Sequence, residues 1–279
     1  MPTVQENLIG VHPTAPDIIG VWLTATDMPV KPNQRHRKLE EDPTQRQLAI
    51  DTVGQWVVDQ IVHDSKKDLL ARKSKILAKY DFDKLVGDYH LLPIPEKTQR
   101  GDVAEILLVE YLKHSKGYSP IVYKLQYNPN VDQSMKGDDC LLFNMNNLTE
   151  CVIYGESKFR SAPSKAAIEQ AVSNLQGEKK LPNSLSFISN ILAERGDTQL
   201  SEAIMDLLIR IKDSTTPVIN VGFLMSTKSN KPGQDTSSMV ETHLDTLNPN
   251  LVFVSLGIDD PQGFVKDVMA KANEILRNP

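Results

Sequence analysis

Cysteine is nearly absent: Cys140 and Cys151 are the only two among 279 residues, too few for a disulfide scaffold. Long apolar runs are missing as well. The longest, around residues 218–225, falls far short of the roughly 20 residues a membrane span needs. The first residues, Met1-Pro2-Thr3-Val4-Gln5-Glu6, show no basic stretch leading into an apolar one, so no signal peptide is expected and the cytoplasm is the expected location. The six histidines are scattered, with no two at i, i+4 and no cysteine pair beside them, which argues against a zinc site. There is no G-x-x-x-x-G-K-[ST] and no G-x-S-x-G, so neither a nucleotide-hydrolysing P-loop nor a serine nucleophile elbow is encoded.

What is present is an ordinary globular balance, 40% hydrophobic and 24% charged, which argues against a disordered chain. The net charge of −5 does not suit a stand-alone nucleic-acid binder, because such binding is largely phosphate neutralisation by lysine and arginine. Two local basic runs stand out. One comprises Lys31, Arg35, Arg37 and Lys38; the other comprises Lys66, Lys67, Arg72, Lys73, Lys75 and Lys79. Each reads either as a binding patch or as a solvated face.

Residues 18–23 suggest a short strand among prolines, and apolar positions recur at three and four from about residue 43 to residue 80, as in helices. Pro93 and Pro95 then mark a boundary near residue 95, dividing a mostly helical N-terminal region, 1–95, from a core at 96–279. In that core a helix is expected over about 102–114, ending at Gly117. Strands are expected at 121–127, 139–143 and 151–158, then helices at 164–176, 185–194 and 199–212. A strand at 217–225, a helix at 237–247, a strand at 251–256 and a helix at 262–276 follow. This alternation predicts an α/β fold with a mixed sheet covered by helices on both faces. Trp22 and Trp56 are expected in the core.

The stretch from Gly137 to Lys158 carries the chemistry. Asp138 and Asp139 open one apolar strand, and Glu156 and Lys158 close the next, with the polar turn Asn144-Met145-Asn146-Asn147-Leu148-Thr149 between them. A hairpin centred between Asn147 and Leu148 sets Asp139 opposite Glu156, with Cβ atoms roughly 5 Å apart. Lys158, two residues on, faces the same way as Glu156. Opposed carboxylates repel, so the pairing makes sense if a divalent cation lies between them. Hard oxygen ligands suit Mg²⁺ (or Mn²⁺), which polarises a phosphoryl oxygen and acidifies bound water. Phosphodiester hydrolysis is the matching reaction, with Asp139, Glu156 and Lys158 as its catalytic core. A register slip by one residue would substitute Asp138 for Asp139. The other E-x-K and D-x-K copies, Glu178-Lys179-Lys180 and Asp64-Ser65-Lys66, lack an opposed aspartate strand.

Gly137-Asp138-Asp139 followed on the next strand by Gly155-Glu156-Ser157-Lys158, and then a helix, resembles the core of PD-(D/E)xK nucleases. Together with Gly101-Asp102-Val103-Ala104-Glu105-Ile106-Leu107-Leu108, the larger pattern is similar to the HamA nuclease subunits of Hachiman anti-phage systems. The motif-bearing similarity covers about residues 100–176. It implies a restriction-endonuclease-like core and a DNA nuclease controlled by a helicase-ATPase partner (HamB-like) in a hetero-complex. It further implies that Glu105 joins Asp139 and Glu156 as a metal ligand and that Gln170 supports the site. On the residues alone, Asp102-Val103-Ala104-Glu105 also reads as a helix-start capping box, and Gln170 as a plain polar helix residue. Two rival functions are a free-standing restriction or junction-resolving endonuclease and a catalytically silent interaction module of the same fold.

Overall fold

The two apolar strands flanking the Asn-rich turn pair antiparallel, in the register expected: Cys140 faces Gly155, Leu141 Tyr154, Leu142 Ile153 and Phe143 Val152. This hairpin, β3 (Cys140–Phe143) and β4 (Val152–Phe159), forms one end of a six-stranded mixed sheet in a computed structural model. The structure describes residues 1–69, 72, 90–135, 137, 139–176, 180–228 and 235–277. With β1 (Leu23–Asp27), β2 (His36–Glu41), β5 (Val218–Thr227) and β6 (Leu251–Ile258), the strand order is β1-β2-β6-β5-β4-β3. β4, β5, β6 and β2 run parallel, and the hairpin partners at the two edges run antiparallel.

Helices cover both faces, which is why the central strands are apolar almost without interruption. On one face α3 (Arg46–Ile61), α4 (Glu96–Lys116) and α9 (Pro261–Arg277) pack against Ile153, Val221, Phe223 and Val254. On the other, α5 (Lys165–Leu175), α6 (Lys180–Glu194), α7 (Thr198–Lys212) and α8 (Thr236–His243) pack against Val152, Tyr154, Leu224 and Phe253. Two short helices, α1 (Val4–Ile9) and α2 (Ile18–Trp22), precede β1. Residues on both sides of position 95 therefore share one sheet and one core. Among the described residues no helix is long and apolar enough to cross a membrane.

Several expectations need correction. Residues 18–23 are not a strand: Asp17 caps a helical turn at Ile18–Trp22, and extension begins only at Leu23. Residues 121–127 are not a strand either. Lys124–Tyr127 is a 3-10 turn, and just before this segment an isolated bridge joins Ser119 to Phe143 of β3. β2 was hidden by its charge, His-Arg-Lys-Leu-Glu-Glu. The first basic run does not form one basic surface, since Arg37 is 1% exposed and its guanidinium bonds both oxygens of Asp27, at 2.5 and 2.9 Å. Lys73, Lys75 and Lys79 of the second run lie outside the described residues, as do Glu178 and Lys179 of the other E-x-K copy.

The correction that matters most concerns α4. It begins at Glu96, not near residue 102, and runs to Gly117, whose left-handed conformation (φ 76°) ends it. Asp102 and Glu105 therefore lie in the helix interior, and the capping-box reading of this pair is wrong. Their side chains have no orphan helix N–H groups to satisfy.

Candidate active site

β3 stops at Cys140, one residue short of Asp139, while β4 continues to Phe159. The N–H groups of Val152 and Arg160 point to the β5 side, bonding Pro217 and Met225 carbonyls, so by alternation that of Ser157 points past the end of β3. There it finds a side chain in place of a backbone partner. The Asp139 carboxylate accepts from the Ser157 N–H at 2.8 Å and from its hydroxyl at 3.1 Å. Burial pushes the Asp139 pKa up, and repulsion from Glu156 adds to this; Lys124, Lys158 and the Ser157 N–H act against it.

Glu156 is 3% exposed and its Oε1 accepts from Lys158 Nζ and from the Asn174 amide on α5, both at 2.5 Å. Lys158 also donates to the Ser157 carbonyl at 3.1 Å. From the opposite side α4 contributes Glu105, whose carboxylate lies 3.4 Å from Lys124 Nζ. Burial raises Glu105 well above the usual carboxylate range; Lys124 opposes this, and Asp139 and Asp102 reinforce it. Asp102, one turn earlier on the helix, is raised to about 7, with burial the main cause.

Asp102, Glu105, Asp139 and Lys158 line one cavity of about 420 Å³. Its rim carries three further cations, Lys97 and Arg100 from α4 and Arg160 from the end of β4. The Arg100 guanidinium lies over the Phe159 ring, 5.8 Å from its centre, and pairs with Glu96. Gly101, between Arg100 and Asp102, also faces this space; a Cβ there would meet nothing within 4 Å. The arrangement is an acidic floor under a basic rim. It suits a cation and a polyanion together.

The structure thus brings Asp139, Glu156, Lys158 and Glu105 to one end of the sheet. Among the described residues, however, no three His, Cys, Asp or Glu side chains converge tightly enough to hold a metal ion as they stand. Glu156 is also not among the residues lining the cavity. The donor set still fits a hard divalent ion: all its atoms are carboxylate oxygens, and those of Glu105 and Asp139 are pushed toward protonation, a state that a cation would reverse.

Asp138 lies outside the described residues. Gln170 is exposed on α5, whereas Asn174, one turn later, is the residue that reaches Glu156. Asn174, Ser157, Lys124 and Asp102 were not singled out from the sequence. Two of them carried a readable signal: Asp102 is at i−3 from Glu105, and Asn174 at i+4 from Gln170. Lys124 carried none, because the loop bearing it returns to the site only in three dimensions.

Fold and site together define an α/β protein with a carboxylate-lined, cation-rimmed cavity at the open end of a mixed sheet. The HamA family profile matches residues 17–272. The chain is 40% identical over 274 residues to the Hachiman protein HamA of Bacillus cereus, a match that covers 98% of this chain and 97% of that relative. The chain belongs to the HamA family.

Proposed function

We propose that this chain is a divalent-metal-dependent DNA nuclease of the PD-(D/E)xK class, acting in Hachiman anti-phage defence under the control of a helicase-ATPase partner. The observation that carries the reading is the shared cavity. The buried carboxylates of Asp102 and Glu105, the half-buried one of Asp139, and Lys158 form its floor and wall, and Lys97, Arg100 and Arg160 stand where a sugar–phosphate strand would enter. Mg²⁺ or Mn²⁺, held by Asp139 with Glu105 and Glu156, would supply Lewis-acid polarisation of a phosphoryl oxygen and a more acidic water.

The chain's own residues do the rest. Ser157 fixes the Asp139 carboxylate through two hydrogen bonds, and Asn174 fixes Glu156 from the opposite face. Lys158 is a donor beside these acids, placed to orient a water or to offset charge growing on the phosphate as the P–O bond breaks. The rim cations neutralise backbone phosphates, a non-specific attraction that falls with salt. The overall charge of −5 limits unaided DNA capture, which supports delivery of substrate by a partner.

The test pairs cells with purified protein. Expression with the proposed helicase-ATPase partner should protect bacteria from phage, and the purified pair should degrade DNA with Mg²⁺ or Mn²⁺ but not with EDTA. The double variant Glu156→Ala, Lys158→Ala should abolish both while folding normally. Undiminished degradation by that variant overturns the assignment.

A further inference from the structure

Asp102 has no evident structural reason to be a carboxylate. It is 5% exposed, and among the described residues no hydrogen bond or ion pair reaches its side chain. A buried acid without a partner opposes folding, and native proteins keep few of them. Position in the helix does not explain it, since α4 begins six residues earlier. Nor is it there to balance Lys124, whose ammonium is already engaged by Glu105. The charged groups that bear on it are Lys124, which favours the carboxylate, and Asp139, which disfavours it.

Its surroundings point to a ligand. Asp102 lines the 420 Å³ cavity, one helical turn from Glu105, and the intervening helix face holds Gly101, where nothing of the protein fills the space a side chain would take. Open space thus adjoins an acceptor that, among the described residues, has no protein donor. The nearby carboxylates do not close into a metal shell by themselves. Mg²⁺ keeps several of its waters when bound by one or two protein carboxylates. Those waters are donors that need acceptors, and Asp102 is an acceptor that needs donors.

We propose that Asp102 is a positioning residue for the hydrated divalent cation, its carboxylate accepting hydrogen bonds from the metal's waters while Glu105 and Asp139 supply ligand oxygens. This rests on the metal-dependent reading above and adds a second tier to it. Asp102 fixes the orientation of the water shell and need not touch the ion. Outer-shell partners of this kind typically govern metal affinity by about 10- to 100-fold.

The experiment is Mn²⁺ titration of the full chain by calorimetry, with thermal melts of the metal-free protein alongside. Wild-type protein should bind Mn²⁺, and Asp102→Asn should bind it about ten-fold more weakly or worse. The metal-free Asn variant should melt higher than wild type, because an unpartnered buried acid has been removed. Equal Mn²⁺ affinity in the two proteins overturns the proposal. So does a lower melting temperature in the metal-free variant, or failure of both Asp102→Asn and Asp102→Ser to fold, since either would mark the carboxylate as structural. If wild-type protein itself binds no Mn²⁺, the metal-dependent reading fails first, a result distinct from any of these.

Discussion

Ser157 and Asp139 are joined by two hydrogen bonds, from the backbone N–H and the hydroxyl of the serine to one oxygen of the aspartate. The strand carrying Glu156 and Lys158 therefore also fixes the carboxylate of its neighbour, and one short β-segment sets three of the four principal site residues. The backbone bond survives any substitution, so Ser157→Ala tests the hydroxyl alone. Its loss should cost about 1 kcal/mol of stability. DNA degradation should slow by roughly ten-fold, as for loss of a partner that orients a metal ligand. An unchanged degradation rate alongside the stability loss would make the hydroxyl merely structural.

Asn174, not Gln170, is the α5 residue that supports Glu156. Asn174→Ala leaves a buried carboxylate with one donor fewer and should destabilise the fold by about 1–3 kcal/mol. It should also reduce degradation by about 10- to 100-fold. Gln170→Ala, at an exposed position, should fall within about ±0.5 kcal/mol of wild type in urea unfolding and keep its activity. A reversed ranking of the two would contradict the arrangement.

Why was one helix residue legible and the other not? The β3–β4 register could be read because an apolar run, a polar turn and a second apolar run allow one hairpin that keeps both faces buried. The same logic located β5, β6 and the amphipathic helices behind them. It failed for β2, where Arg37 and His36 are polar yet buried, 1% and 3% exposed; Arg37 pairs with Asp27 on β1, and His36 Nε2 bonds Ser255 on β6. It failed for α4 because the first turn, Glu96-Lys97-Thr98-Gln99, offers no apolar stripe and Pro95 no side-chain cap. Most of the basic rim comes from that same unread turn and from the residue just after β4. Local pattern reveals who is buried; it does not reveal which loops return to the same cavity.

Gly101 gives a test of the cavity independent of any charge. A helix-interior glycine costs about 0.5–1 kcal/mol relative to alanine, and here no neighbour forbids a Cβ. Gly101→Ala should therefore stabilise the protein by up to about 1 kcal/mol. Gly101→Leu should keep that gain yet obstruct the space beside Asp102, lowering degradation and Mn²⁺ affinity together. A fully active Gly101→Leu would place substrate and metal elsewhere.

The acids of the cavity also fix the sign of a pH dependence. Asp102 is raised from 3.8 to about 7, principally by burial, and Glu105 and Asp139 shift the same way. A carboxyl whose folded-state pKa exceeds its unfolded value binds more protons when folded. Its stabilising contribution is complete below pH 3.8 and is lost as pH rises through about 7. His36 acts oppositely: burial lowers it to about 3, so its contribution is present above 6.5 and falls away in acid. The two overlap in a single melt, and the difference between wild type and Asp102→Asn separates them. That difference, measured without metal, should grow from pH 4 to pH 7 with a slope of at most about 1.4 kcal/mol per pH unit. Metal reverses the relation, because binding expels the protons these acids hold. Mn²⁺ affinity of the wild-type chain should therefore rise with pH through about 7, and the rise should be shallower in Asp102→Asn. Calorimetric titration across that range measures both, and an affinity independent of pH would show that the buried carboxyls are not the groups meeting the cation.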